Sequence, residues 1–303
     1  MDTFKGKTAF ITGGASGIGL ALAIECLKEG MNVVICDIRK HAIDEAINQF
    51  KTDSQVLALE LDVTDRDAYK EAVDAAQARF GNIHLLVNNA GIGAARGPIW
   101  EATYAQTDLA LDINLTAVLT GIHLVVPGML KHGEDGYVVN TASKAGLIAV
   151  PNCGLYNLTK QALISLSETL ASDLEGTNVG ACVFCPGPFE SQLGKTSGEI
   201  EGLFLGEQVP VSGPKRDVSV GDFAKVTRPA QEAARRILRG VKRGDLYIIT
   251  HSEFKDGFKA RTDAMLRAFP DEAPVEEFKK IFSFLVSNPI FDKQDSVPAL
   301  MDK

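Results

Sequence analysis

Lys7-Thr8-Ala9-Phe10-Ile11-Thr12-Gly13-Gly14-Ala15-Ser16-Gly17-Ile18-Gly19 decides the fold. Lys7–Thr12 is a mostly apolar run of strand length. The glycines after it, spaced Gly13-x-x-x-Gly17-x-Gly19, make a tight turn, and a helical pattern follows over Gly17–Glu29. Strand, glycine turn and helix together form a phosphate cradle. Glycines let the backbone come close, and the helix N-terminus offers unpaired N–H donors and a partial positive charge. Gly13, Ser16, Gly17, Ile18 and Gly19 are therefore candidate cofactor residues. A plain tight turn in an α/β protein is the alternative.

The same alternation continues outward. Further strand candidates are Asn32–Cys36, Val56–Leu61, Ile83–Asn88, Tyr137–Thr141, Asn178–Cys185 and Leu246–Thr250. Each is short and continuously apolar, as strands covered on both faces should be. Helical patterns separate them: Lys40–Lys51, Asp65–Phe80, Tyr104–Lys131, Gly154–Leu174 and Pro229–Val241. Such alternation predicts βαβ units, a parallel sheet and helices on both faces, an α/β fold. No composition break marks a second domain, so residues 1–251 read as one dinucleotide-binding and catalytic domain. Two regions leave the rhythm. Residues 190–227 are rich in Gly, Pro, Ser and charge, with a weak helical piece near Gly198–Leu205, and read as a substrate loop or lid. Residues 252–303 read as a helical extension of the same domain, with amphipathic helices over Glu253–Phe269 and Pro274–Val286 and a loose tail beyond Pro289.

Bulk properties exclude some partners. Thirty-one basic against 39 acidic residues give a net charge of −8, which argues against nucleic acid and against an anionic membrane surface. The longest stretch without charge, Ile113–Leu130, contains Asn114, Thr116, Thr120, His123, Pro127 and Gly128, and reads as a buried or interface helix rather than a membrane span. Met1–Lys7 lacks the pattern of a secretory leader. Five cysteines sit mostly in apolar runs with no metal-ligand spacing, so the expectation is free thiols in a reducing cytoplasm and no metal.

Three further sets of residues carry chemistry. Asp37 ends the second strand, where a carboxylate can accept from both ribose hydroxyls and repel a 2′-phosphate. It favours NAD over NADP, although Arg39 lies two residues on; the plain alternative is a helix cap before Lys40. Asp62 and Val63 follow the third strand beside the expected adenine site, and Asn88-Asn89-Ala90-Gly91 ends the fourth. There Asn can tie strands together, while Ala90 and Gly91 leave room for a ribose; a plain turn is the other reading. Tyr156 and Lys160, four residues apart, share one helix face. An ammonium beside a phenol favours the phenolate, which makes Tyr156 a general acid or base usable near neutral pH.

With these residues in order, the chain resembles the short-chain dehydrogenase/reductase family over roughly Phe4–Thr250. Thr12–Gly19 is similar to its glycine motif and Asn88–Gly91 to its Asn-Asn-Ala-Gly element. Asn114, Ser143, Tyr156 and Lys160 fall at its catalytic positions, with Ser143 thirteen residues before Tyr156. Pro186-Gly187, with Phe189 and Ser191 after it, resembles the family's Pro-Gly turn; Ser191 replaces the more frequent Thr. The resemblance implies a Rossmann-type, doubly wound, seven-stranded parallel sheet, a nicotinamide cofactor, and a homodimer or homotetramer. It implies that Ser143 binds the substrate oxygen, Tyr156 moves its proton, Lys160 holds the ribose, and Asn114 holds a water. Substrate would meet Ser143, Ala145, Cys153, Tyr156 and Leu193, within a wall drawn from Ile92–Arg96, Ala145–Leu147, Asn152-Cys153 and the segment after Ser191. That segment's Leu193, Leu203, Phe204 and Leu205 suit a hydrophobic alcohol. The long C-terminus resembles bacterial members that oxidise benzylic or aryl alcohols, including lignin-type Cα-alcohol dehydrogenases. Two rivals are an NADPH-preferring carbonyl reductase and a non-catalytic dinucleotide sensor on the same fold.

Overall fold

A computed structural model describes residues 1, 3–50, 53–206, 225–292 and 294–295. Seven parallel strands form one sheet: β1 (Thr8–Thr12), β2 (Asn32–Asp37), β3 (Val56–Glu60), β4 (Leu85–Asn88), β5 (Gly136–Thr141), β6 (Val179–Cys185) and β7 (Tyr247–Ile249), in the order β3-β2-β1-β4-β5-β6-β7. This is the Rossmann-type arrangement. The order reverses between β1 and β4, and ligands of open α/β sheets bind at the carboxyl ends of strands beside such a switch. Each strand expected from the sequence is present, with ends shifted by at most two residues.

The helices cover both faces. On one side α1 (Gly17–Lys28), α2 (Lys40–Ile47) and α9 (Ala230–Arg243) bury Leu22, Ala46 and Ile237 against Val33, Ile35 and Phe184 of the sheet. On the other, α3 (Arg66–Phe80), α5 (Ala117–His132) and α7 (Gly154–Asp173) bury Tyr69, Val125 and Leu163 against Phe10, Leu86 and Val138. Tyr104–His132 is the one helix among the described residues long and apolar enough to cross a membrane. It is the core helix expected from its polar interruptions, and most of its apolar window is buried.

Three expectations are corrected. The single helix over Tyr104–Lys131 is α4 (Tyr104–Leu111), a π turn (Asp112–Thr116) and α5. The weak helix near Gly198–Leu205 is α8 (Leu193–Leu205), which starts five residues earlier. Beyond β7 lie α10 (Lys255–Arg267), α11 (Glu276–Ile281), α12 (Ser283–Val286) and α13 (Pro289–Asp292). The segment expected to be loose past Pro289 thus begins as α13, whose Ile290 is buried, and Gln294 accepts from the Tyr247 amide at 2.8 Å. The part of the expected substrate loop at 207–224 lies outside the described residues.

Candidate active site

One cleft runs across the carboxyl ends of the strands, and most of the candidate residues line it. The glycine turn forms its floor. Gly13 has φ +62° and faces Ala90 so closely that a Cβ would come within 2.9 Å of the Ala90 Cα. Gly17, at φ +53°, faces Ser191 across the cleft, with a Cβ-to-Cβ approach of 3.4 Å. Positive φ favours glycine at both positions. A Cβ on Gly19 would meet the Gly13 carbonyl at 2.2 Å, so Gly19 shapes the turn from behind rather than lining the cleft. Asn89 locks the turn to β4: its Nδ2 donates to the carbonyls of Thr12 and Gly13 at 3.1 and 3.2 Å. Asn88 ties β4 to β5 by donating to Asn140 Oδ1 at 2.9 Å. The bare backbone at Gly13 and Gly17, beside the N-terminus of α1, is what a pyrophosphate requires.

At the adenosine end, Asp37 caps no helix; Arg39 is the N-cap of α2. The Arg39 side chain donates from Nε to Asp37 Oδ1 at 3.0 Å and from Nη2 to Asp37 Oδ2 at 3.1 Å. Nη2 also reaches Ser16 Oγ at 2.9 Å, and Nη1 reaches Thr196 Oγ1 at 3.2 Å on α8. One guanidinium therefore joins strand end, glycine turn and overlying helix. Asp62 is no cap either, since Asp65 caps α3; Asp62 Oδ1 accepts from Thr64. Asp62 and Val63 both line the cleft.

At the other end Tyr156 and Lys160 meet as their spacing predicts, with Nζ 5.6 Å from the phenol ring centre. Nζ donates to the Thr141 carbonyl at 2.9 Å. Asn114 sits in the π turn, fully buried. Its Oδ1 accepts from Ile92 N at 2.8 Å, and its Nδ2 donates to Ile92 O at 3.0 Å and Thr159 Oγ1 at 3.3 Å. Such bulges recur where a helix must turn one side chain toward a site. A Cβ at Gly91 would come within 3.0 Å of Asn114 Oδ1 and 3.5 Å of Lys160 Nζ, so these two polar groups converge on one backbone point. Ser143 stands two residues past the end of β5, caps the short helix α6 (Lys144–Leu147) by accepting from Ala145 N at 3.2 Å, and bonds Tyr156.

The charges run opposite to the sequence expectation. Burial pushes the Tyr156 phenol up from its usual value; the Ser143 hydrogen bond only partly offsets this. Burial likewise pushes the Lys160 ammonium down to about 8. Spacing brought the pair together, but desolvation acts on both and outweighs their proximity.

Pro186, Ser191 and Leu193 line the cleft, whereas Gly187 and the buried Phe189 stand behind it. Ser143, Ala145 and Cys153 border the cleft rather than lining it. Sequence reasoning missed Ile38, Leu61, Ile113, Thr141 and Ala142 as lining residues, and it reached Gln192, Thr196 and Ile200 only as part of the segment after Ser191. The helical spacing of Thr196, Ile200 and Phe204 was the available signal for the last two, and the glycines between them obscured it. Among the described residues no cluster of ligating side chains fits a metal.

The family model described as short chain dehydrogenase matches residues 7–201. A C alpha-dehydrogenase of a Sphingobium species is 30% identical over 278 residues, covering 91% of this chain and 90% of that protein. A 2-dehydro-3-deoxy-L-rhamnonate dehydrogenase (NAD(+)) of a Sphingomonas species is 35% identical over 191 residues, covering 63% of this chain and 75% of that protein. A short chain dehydrogenase/reductase of Burkholderia phymatum, solved in complex with NAD, superposes with a TM-score of 0.79 at 29% identity, covering 91% of this chain and 99% of that one.

Proposed function

The chain belongs to the short chain dehydrogenase family of oxidoreductases, and on that premise we propose that it is an NAD-dependent dehydrogenase of hydrophobic secondary alcohols, aryl ones among them. The observation that carries this is the convergence of Ser143, Tyr156, Lys160 and Asn114 at one end of a cleft whose other end holds a bare glycine turn and Asp37. The glycine turn would hold the pyrophosphate, Asp37 the adenosine ribose, Asp62 and Val63 the adenine, and Ala90, Gly91 and Lys160 the second ribose. A bound nicotinamide supplies the hydride acceptor or donor.

The chain's own residues do the proton work. Ser143 donates to the substrate oxygen and fixes it. Tyr156 takes the alcohol proton in oxidation and returns it in reduction. Raised by burial, it rests as the neutral acid at pH 7, which suits reduction; oxidation needs the phenolate, which the Lys160 ammonium favours. Asn114 makes three hydrogen bonds and keeps one lone pair on Oδ1, enough to hold a water beside Lys160 as a proton route. Leu193, Ile200, Phe204 and Ile113 make the wall apolar, which supports a hydrophobic substrate. The similarity to the C alpha-dehydrogenase over nine-tenths of both chains supports an aryl one.

An NADPH reading has one observation in its favour, the Arg39 guanidinium in the cleft beside Ser16. Both Asp37 oxygens already engage it, and that favours NAD. We further propose a homodimer or homotetramer, with neither nucleic-acid nor membrane partner, in the cytoplasm. The exposed Phe258, Met265 and Leu266 of α10, with Phe269 just past its end, support a subunit contact, and five free cysteines suit a reducing compartment. The test is a panel of aryl, steroid, sugar and aliphatic alcohols, each with NAD and NADP, read by nicotinamide absorbance. Turnover of aryl secondary alcohols with NAD is expected; a tenfold preference for NADPH, or binding without turnover of any substrate, would overturn it.

A further inference from the structure

The C-terminal extension from Ser252 follows Thr250 and His251, which pack against Gly187, and its Phe254 meets both His251 and Lys144. The Gly187 amide donates to Thr250 Oγ1 at 3.1 Å, and that oxygen lies 2.7 Å from His251 Nδ1. The imidazole presses on Gly187 so closely that a Cβ there would lie 2.5 Å from Nδ1. The ring meets Phe189 edge-on, with centroids 5.3 Å apart, and stacks on Phe254 at 5.4 Å. Phe254 in turn carries Lys144 Nζ 5.2 Å over its ring, and Lys144 follows Ser143. The Lys144 amide donates to the Pro186 carbonyl at 3.0 Å. The far side of the loop is fixed too, since Arg228 N donates to Pro188 O and Glu190 N to Arg228 O.

Thr250 and His251 are both buried, and His251 Nε2 has no partner among the described residues. A buried ring with one nitrogen unpaired is costly to keep for packing alone. The arrangement that satisfies the Gly187 amide and the Thr250 hydroxyl together sends the hydroxyl proton to Nδ1. Burial, helped by Arg228, keeps the imidazole neutral and so able to accept it.

We propose that Thr250 and His251 are positioning residues that hold the Pro186–Phe189 loop in the shape that receives the nicotinamide half of the cofactor, so that the extension's root sets hydride-transfer geometry. The inference rests on the proposed nicotinamide chemistry and adds a residue pair to it. It predicts that damage here falls on the nicotinamide half alone.

The experiment compares NADH with ADP-ribose, which lacks nicotinamide, by calorimetric titration of the full chain. Thr250→Val should weaken NADH binding about tenfold and lower kcat, while ADP-ribose affinity stays within about twofold. Thr250→Ser, which keeps the hydroxyl, should restore both. His251→Phe, which keeps a ring but removes Nδ1, should behave as Thr250→Val does. If Thr250→Val fails to fold, His251→Phe and Phe254→Leu give the same comparison. Equal loss for both ligands, or no loss for either, overturns the proposal. If the wild-type chain binds NADH no better than ADP-ribose, or binds neither, the proposed function fails instead.

Discussion

Replacing Lys160 by Met should make the free protein more stable and the enzyme inactive. Lys160 is 4% exposed, and burial moves its ammonium from 10.5 to about 8. At 1.36 kcal/mol per pH unit, keeping that charge buried costs about 3 kcal/mol at pH 7. Met removes the charge at similar length, but it leaves the Thr141 carbonyl without its donor, a loss of about 1 kcal/mol. The net gain is about 2 kcal/mol, or roughly 4 °C in Tm for a chain of this size. The sign depends on pH. Below about pH 8 the amine is protonated in both folded and unfolded chains, so the full penalty applies. Between about 8 and 10.5 the folded chain releases its proton first, and wild-type stability rises relative to the variant. The variant's advantage should shrink to near zero by about pH 10. Saturating NADH should reverse the order, because ligand at a hundredfold over its Kd adds about 2.7 kcal/mol to a chain that still binds it well. Thermal unfolding at pH 7, 8.5 and 10, with and without NADH, measures all of this. A Lys160→Met variant less stable than wild type at pH 7, or a gap constant across that range, would refute the reasoning.

Tyr156→Phe should lower kcat by ~10²–10⁴-fold while NADH affinity stays within about threefold; near-normal turnover by steady-state assay would remove Tyr156 from the proton path. Asp37→Ala releases Arg39 from its carboxylate and leaves a guanidinium beside Ser16, so the KM ratio of NADH to NADPH should swing toward NADPH by about tenfold or more. Gly19→Ala forces a methyl to within 2.2 Å of the Gly13 carbonyl, so the turn must open. Stability should fall by about 1–3 kcal/mol, with a loss of NADH binding that calorimetry reads directly.

The strands were legible because covered strands are short unbroken apolar runs. Val33–Cys36, Leu85–Val87 and Ala181–Cys185 are continuously apolar and wholly buried. The glycine turn and the Tyr156–Lys160 pair were legible because each is a local pattern whose geometry follows from helix or turn spacing. The start of α8 was not. Gly194, Gly198 and Gly202 lower its intrinsic propensity, and the helix is held instead by distant partners: Gly93 N donates to Ser197 Oγ at 2.7 Å, and Arg39 donates to Thr196. The π turn was equally hidden, because nothing in Asp112–Thr116 distinguishes it locally from the helix on either side.

Arg39 shows what spacing leaves out. In the chain it stands two residues past Asp37 and reads as a bias on cofactor choice. In the fold it spans strand end, glycine turn and α8, which lie 157 positions apart in the case of Thr196. The same residue that balances Asp37 also fastens the helix over the cleft, so a ribose that takes the Asp37 oxygens competes with Arg39 for them and bears on its contacts with Thr196 and Glu199 of that helix. One guanidinium thus meets both the carboxylate proposed to hold the ribose and the helix over the cleft. Removing Asp37 therefore changes more than a 2′-phosphate preference, because it also leaves Arg39 with Ser16, Thr196 and the more distant Glu199 as its side-chain partners.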